Sequence, residues 1–246
     1  MKSLLKFPLL VAVATMMTCS FSACSDNDDP TPDTGTSETD AKFEAIAKQY
    51  LDHTVYVTYK NLADETEQLV KDLQALKSSK TDANVKATCE TFLEARAWWE
   101  KSEAFLYGAA TDFGIDPHID SWPLDLDGLQ TALKNTEQVE AMGGEDGDIY
   151  AGEKLGNSLL GFHGIEYILF EDGSPKSVSK ISDLHLTYAV AVAGDLRNRC
   201  WQLELSWRGE SAVNADRVAK VANELELPYT VNSGEYSYGE KIGRAS

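Results

Sequence analysis

From Asp40 to Leu76 the chain contains no proline or glycine, and Phe43, Ile46, Ala47, Tyr50, Leu51, Val55, Tyr59, Leu62, Leu69, Leu73 and Leu76 recur on one stripe at three- and four-residue spacing. That period belongs to an amphipathic α-helix and not to a strand. At about 1.5 Å per residue, roughly 36 residues reach about 54 Å, the length of a bundle helix. Thr39 or Asp40 can cap its start.

The remaining sequence supplies partners for that stripe. A second helix is predicted from about Asp82 to Tyr107, with Val85, Cys89, Phe92, Trp99 and Leu106 inward and with Arg96 and Glu103 on the same stripe. Gly108 to Asp125 holds Gly114, Pro117, Pro123 and four aspartates, and reads as a structured loop. Leu126, Leu129, Leu133 and Val139 mark a third helix that Gly143 and Gly144 end. A further helix is expected from about Glu153 to Phe170, stopped by Gly173 and Pro175. Ser182 or Asp183 caps one running to about Trp207, and Asn214 to Leu225 reads as a shorter one. No strand pattern and no short-period repeat is apparent, so the fold class is all-α, a helical bundle.

The amino terminus has a different character. Lys2 and Lys6 precede an apolar run from Phe7 to Phe21, too short to span a bilayer and of signal-peptide length. Phe21-Ser22-Ala23-Cys24 places small residues before a cysteine as in a bacterial lipobox, so residues 1–23 read as a lipoprotein signal peptide and Cys24 as the lipidated residue. Two or more acyl chains there would anchor the protein stably to a membrane. Residues 25–40 hold six acids, no base and no large apolar group, the composition of a solvated tether. The folded domain is therefore expected over residues 41–246. Acids directly after a lipid cysteine are similar to the surface-export signal of Bacteroidetes lipoproteins, which implies an outer-membrane, surface-exposed or periplasmic location.

The formal net charge is −18, and loss of Lys2 and Lys6 with the signal peptide leaves 20 basic against 40 acidic residues. Such a surface repels phosphate backbones, so nucleic acid is a poor partner. Cys89 and Cys200 are too few for a disulfide scaffold, and either pair or remain as buried thiols.

One segment carries a candidate chemistry. Gly161-Phe162-His163-Gly164-Ile165-Glu166 sets an imidazole and a carboxylate at i and i+3, so both leave one helix face, as metal ligands or as a hydrogen-bonded pair. Gly161 and Gly164 each weaken a helix by about 1 kcal/mol and are tolerated where another backbone approaches closely. Arg96 and Glu103 form either a buried ion pair or part of a polar pocket. Asp116, His118 and Asp120 flank Pro117, where carboxylates commonly cap turns. His53 and His185 have no partner pattern, and Trp98, Trp99 and Trp122 read as core or loop-packing aromatics. His-Glu-x-x-His, Gly-x-Ser-x-Gly and phosphate-binding glycine loops are absent.

Trp99 to Gly108 (WEKSEAFLYG), Asp116 to Asp125 (DPHIDSWPLD) and Gly161 to Glu166 (GFHGIE) resemble, in that order, the motifs of the imelysin family, also called peptidase M75. The likeness covers about Ala41 to Tyr238. It implies a helical fold of two bundle-like halves in envelope proteins tied to iron uptake, binding a metal or a metal-containing ligand such as a siderophore or haem, with iron or zinc as the metal and an unidentified uptake machinery as partner. His163 and Glu166 would be the metal residues, Glu103 and Asp120 would shape the pocket, and Arg96 would be their charge partner. Family members run longer, so the second half is expected to be incomplete here. Two other readings remain: a zinc-dependent peptidase with His163 as ligand and Glu166 as ligand or general base, and an adhesion or interaction module in which the motif only holds helices together. A catalytic zinc needs about three protein ligands, and the sequence offers no evident third.

Overall fold

In the computed structural model the described residues are 38–231 and 236–244. The expected signal peptide, Cys24 and the expected tether up to residue 37 lie outside them. The long stripe forms one helical rod made of α1 (Glu38–Tyr50), a π-helical turn at Leu51–Val55 and α2 (Tyr56–Ser78). Leu51, Val55, Tyr59, Leu62, Leu69, Leu73 and Leu76 are buried, whereas α1 buries no residue and leaves Phe43 and Ile46 more than 60% exposed. α3 and α10 cover α2 and do not cover α1 in the same way. The apolar spacing is continuous across the π turn, so it could not show where that cover ends.

After a short connection, α3 (Asp82–Ser102) folds back along α2. Thr81 caps it by accepting a bond from the Asn84 backbone N–H. A 3₁₀ turn at Glu103–Phe105 then leads to α4 (Ala109–Asp112) and α5 (Ile115–Ile119). The expected loop thus contains two short helices. It closes on a cis Trp122–Pro123 bond.

The next two expected helices are each divided. Asn135 leaves helical geometry and caps the following helix, which separates α6 (Leu126–Lys134) from α7 (Thr136–Ala141). The stretch expected from Glu153 to Phe170 becomes α8 (Gly147–Lys154), a 3₁₀ turn at Asn157–Leu159 and α9 (Gly161–Leu169). Leu155 and Leu160 are extended and buried at the breaks, so tertiary burial overrides their helical spacing. Beyond α9 a two-residue turn, Asp172-Gly173, with both residues at positive φ, joins β1 (Phe170–Glu171) to β2 (Ser174–Pro175). Asp-Gly is the residue pair such a hairpin turn favours, and it was present in the sequence.

The central element is α10 (Asp183–Arg208), which packs on α2, α8 and α9. Ser182 and His185 form a reciprocal capping box at its start, which gives His185 its role. α10 is buried on most sides: Tyr188, Val192, Leu196, Leu203 and Trp207 are fully buried, and Asp195, Asn198, Gln202 and Glu204 are buried with them. Asn214 caps α11 (Ala215–Val218), which continues as a π-helical segment to Glu224, and α12 (Tyr238–Arg244) packs on α10 and α1. Cys89 and Cys200 are free and buried, and burial pushes the Cys89 thiol up to about 12. Among the described residues no helix is long and apolar enough to cross a membrane.

Candidate functional site

The site forms where the end of α5 meets the start of α9. Gly161 has φ +65°, and a Cβ there would sit 1.9 Å from the Ile119 carbonyl oxygen. Only glycine permits that approach. It brings the residue after Ile119, Asp120, against the residue two after Gly161, His163. Gly164 plays a parallel part, since a Cβ there would lie 2.6 Å from the Leu159 carbonyl oxygen.

Asp120 is the hub of the site. Its Oδ1 pairs with Arg96 and lies 3.2 Å from His163 Nε2, and its Oδ2 accepts a 2.7 Å bond from the Trp99 indole N–H. His163 Nδ1 in turn lies 3.2 Å from Glu166 Oε2. The imidazole therefore bridges two carboxylates, one on each ring nitrogen. Arg96 also reaches Glu100 Oε1 at 2.6 Å and lies over the Phe162 ring.

Burial alone would raise the pKa of Asp120, but the hydrogen bonds from His163, Arg96 and Trp99, with the Arg96 charge, hold it below the usual carboxylate range. The Asp120 hydrogen bond pushes His163 above its ordinary value against the opposing effect of burial, with Glu166 contributing in the same direction. Asp120 is thus a fixed anion. The imidazole beside it is inclined to carry a proton.

The chain of contacts ends in a groove of about 410 Å³. His163 and Glu166 line one wall, Phe92, Leu93, Trp122 and Tyr167 give it an apolar surface, and Glu171 and Asp172 from the hairpin stand at its edge. The Trp122 ring lies 4.8 Å from the His163 ring and is 73% exposed. The Glu166 side chain is 53% exposed.

Of the residues singled out in the sequence, Arg96, Asp120, His163, Glu166, Gly161 and Gly164 are brought together. Glu103 is not. It lies in the 3₁₀ turn after α3 and is exposed, because the helix ends at Ser102 and the heptad spacing from Arg96 no longer applies. Arg96 takes Glu100, its i+4 neighbour, and Asp120 instead. His118 pins α5 to the central helix through a 2.7 Å contact between its Nε2 and Asp195 Oδ2. His53 is exposed in the π turn. Trp99 has a core position but a polar task, and Trp122 belongs to the groove and not to the core. Neither role was legible from apolar spacing.

In this arrangement the polar groups of the site satisfy one another and do not converge on a common ion position. His163 and Glu166 bond to each other, both ring nitrogens face carboxylates, and Asp120 is already committed to Arg96, Trp99 and His163. Among the described residues no group of three or more His, Cys, Asp or Glu side chains is placed to hold a metal.

A sequence profile of imelysin, peptidase M75, matches residues 55–246. The chain is 31% identical over 163 residues to iron-regulated protein A of Synechococcus elongatus, covering 66% of this chain and 40% of that protein. It superposes on the crystal structure of a protein assigned as an iron-regulated protein A precursor from Parabacteroides distasonis with a TM-score of 0.65 and 25% identity, over 86% of this chain and 52% of that one. An imelysin-like protein from Psychrobacter arcticum shares the fold, with a TM-score of 0.53 and 14% identity over 81% of this chain and 56% of its own. The chain spans about half the length of the relatives it matches.

Proposed function

The chain belongs to the imelysin family, peptidase M75, and from that premise we propose that it is an iron-related binding protein of the cell envelope whose groove beside His163 holds an iron-containing organic ligand. The observation that carries this reading is the bridged imidazole, fixed between Asp120 and Glu166 and opening on an apolar groove of about 410 Å³. That size lies in the range of small-molecule pockets, about 300–1,000 Å³. A bare ion would need several convergent donors, which this arrangement does not offer. A ligand that brings its own coordination shell needs only shape, apolar surface and a few polar anchors. The relatives named for iron regulation support the iron connection, and the lipobox at Cys24 supports the envelope location.

Arg96, Asp120 and Trp99 would hold the imidazole in place, while His163 and Glu166 would touch the ligand. The peptidase reading ranks second because the same donor arrangement gives a catalytic zinc no third ligand. Fluorescence titration of the full chain with a ferric trihydroxamate is the test. Saturable quenching, weakened at least tenfold in Trp122→Ala, is the expected result. Absence of saturable binding, or chelator-sensitive peptide cleavage that Glu166→Gln abolishes, would replace this reading.

A further inference from the structure

We infer that the groove selects organic cations, seating an ammonium or similar group between the Trp122 face and the Glu166 carboxylate with an apolar body along Phe92 and Leu93. This deepens the reading just given and rests on it for the identity of the groove as the binding site.

The first support is the sign of the lining. Glu166, Glu171 and Asp172 supply carboxylates to the groove, and among the described residues no lysine or arginine lines it. The cations nearest to it are already engaged by protein groups, two of them at the groove's own edge. Arg96 is paired with Asp120 and Glu100 behind the imidazole, Lys180 with Glu171, and Lys176 donates to the Tyr167 carbonyl. His163 is the ion-pair partner of Glu166 among the described residues, and it is shared with Asp120. An incoming cation would complete the charge at Glu166. An incoming anion would meet the carboxylates of Glu166 and Asp172, with Glu171 already held by Lys180.

The second support is the aromatic surface. An ammonium over an aromatic face is attracted by about 0.5–1 kcal/mol when exposed and about 2 or more when desolvated, and indole is the best such face. Trp122 offers its ring to solvent, and it and Glu166 line the same groove with His163 in contact with both. The protein already places an ammonium on another ring of the same groove, with Lys176 Nζ 4.7 Å from the Tyr167 ring centre. The formal net charge of −18 adds a field that draws cations and turns anions away.

Two matched probe sets test the inference on the full chain. Benzyltrimethylammonium and 3-phenylpropionate have similar size and opposite charge, and the Trp122 indole and His163 ring signals report their binding by NMR. The ammonium should bind at least tenfold tighter than the carboxylate, and Glu166→Gln should remove most of that preference. Trp122→Ala should weaken the ammonium by a similar factor. Both side chains are more than half exposed, so neither substitution threatens the fold. The second set is a linear ferric trihydroxamate with a free terminal ammonium, its N-acetylated neutral form and its N-succinylated anionic form. Affinity should fall in that order. Equal binding of all three, still dependent on Trp122, would overturn the charge selection and leave the iron-ligand reading standing. Binding of benzyltrimethylammonium with no binding of any chelate would do the reverse. Failure of the ammonium to bind, or tighter binding of 3-phenylpropionate, would overturn the inference outright.

Discussion

Of the arginine-centred networks that join distant segments among the described residues, those of Arg217 and Arg96 end differently. Arg217 reaches Asp64 at 2.7 Å, Glu67 at 2.8 Å and Glu204 at 2.7 Å, tying the segment after α10 to α2 and to α10 itself. Every carboxylate in it is turned toward a protein cation, and Glu204, only 2% exposed, is shared with Arg208. Burial opposes the charge on Arg217, yet the bonds to Glu67, Glu204 and Asp64 push its pKa further up. The Arg96 network begins the same way, with a guanidinium on a half-buried aspartate, but passes through an imidazole and stops at a carboxylate open to the groove. A closed network fixes the register of helices. An open one presents its last member to something outside.

The comparison can be broken most forcefully at the glycine that assembles the open network. Gly161→Ala would place a methyl group 1.9 Å from a carbonyl oxygen and at positive φ. Left-handed strain of roughly 1–2 kcal/mol and overpacking of about 1–3 kcal/mol together suggest a loss of about 4 kcal/mol. Urea unfolding should show that loss, together with loss of ligand binding. Wild-type stability in this variant would mean that α5 and α9 do not need their close approach. Next in size is Arg217→Met, which leaves the buried Glu204 with only Arg208. Breaking a buried pair costs about 3–5 kcal/mol, and the remaining partner places this case near the lower end, at about 3 kcal/mol. Affinity for the ferric trihydroxamate should stay within twofold of wild type. A large affinity loss would show that the closed network also shapes the groove.

The two networks also differ in how far the sequence announced them. The helical rod, the core helix α10 and its Ser182 cap followed from spacing and capping chemistry, which are local. His163, Glu166, Asp120 and Arg96 were legible as separate candidates because motif and charge marked them. Their connectivity was not, since it depends on Gly161 meeting the Ile119 carbonyl, a contact between segments about forty residues apart. Glu103 was misplaced because its heptad spacing from Arg96 assumed that α3 continued past Ser102. Nothing in the sequence marked Arg217 as a partner of Asp64 and Glu67, more than a hundred positions earlier. The exposure of α1 failed to show for a further reason. Apolar residues recur at helical spacing in α1 as they do in α2, but α3 and α10 pack on α2, and spacing alone does not report where such cover ends.

The finest test of the open network is Asp120→Asn, expected to cost about 1.5 kcal/mol at pH 5.5, the scale of a hydrogen bond to a charged group. Its value lies in the pH dependence. Folded Asp120 sits below its ordinary value of 3.8, so its contribution is present above that pH and is lost as pH falls through the lower folded value. Folded His163 sits above 6.5, so its contribution is complete below that pH and is lost as pH rises through the higher folded value. Between these limits both groups are charged and paired, and the substitution should cost most there. Above the folded His163 value the imidazole is neutral and the cost should shrink. The largest upward influence on His163 is its bond to Asp120, and burial and Arg96 act against it, so the NMR titration midpoint of His163 should fall in the variant. If the midpoint stayed where it is in the wild type, the imidazole would be answering to Glu166 alone, and the Arg96 network would end at Asp120 without reaching the groove.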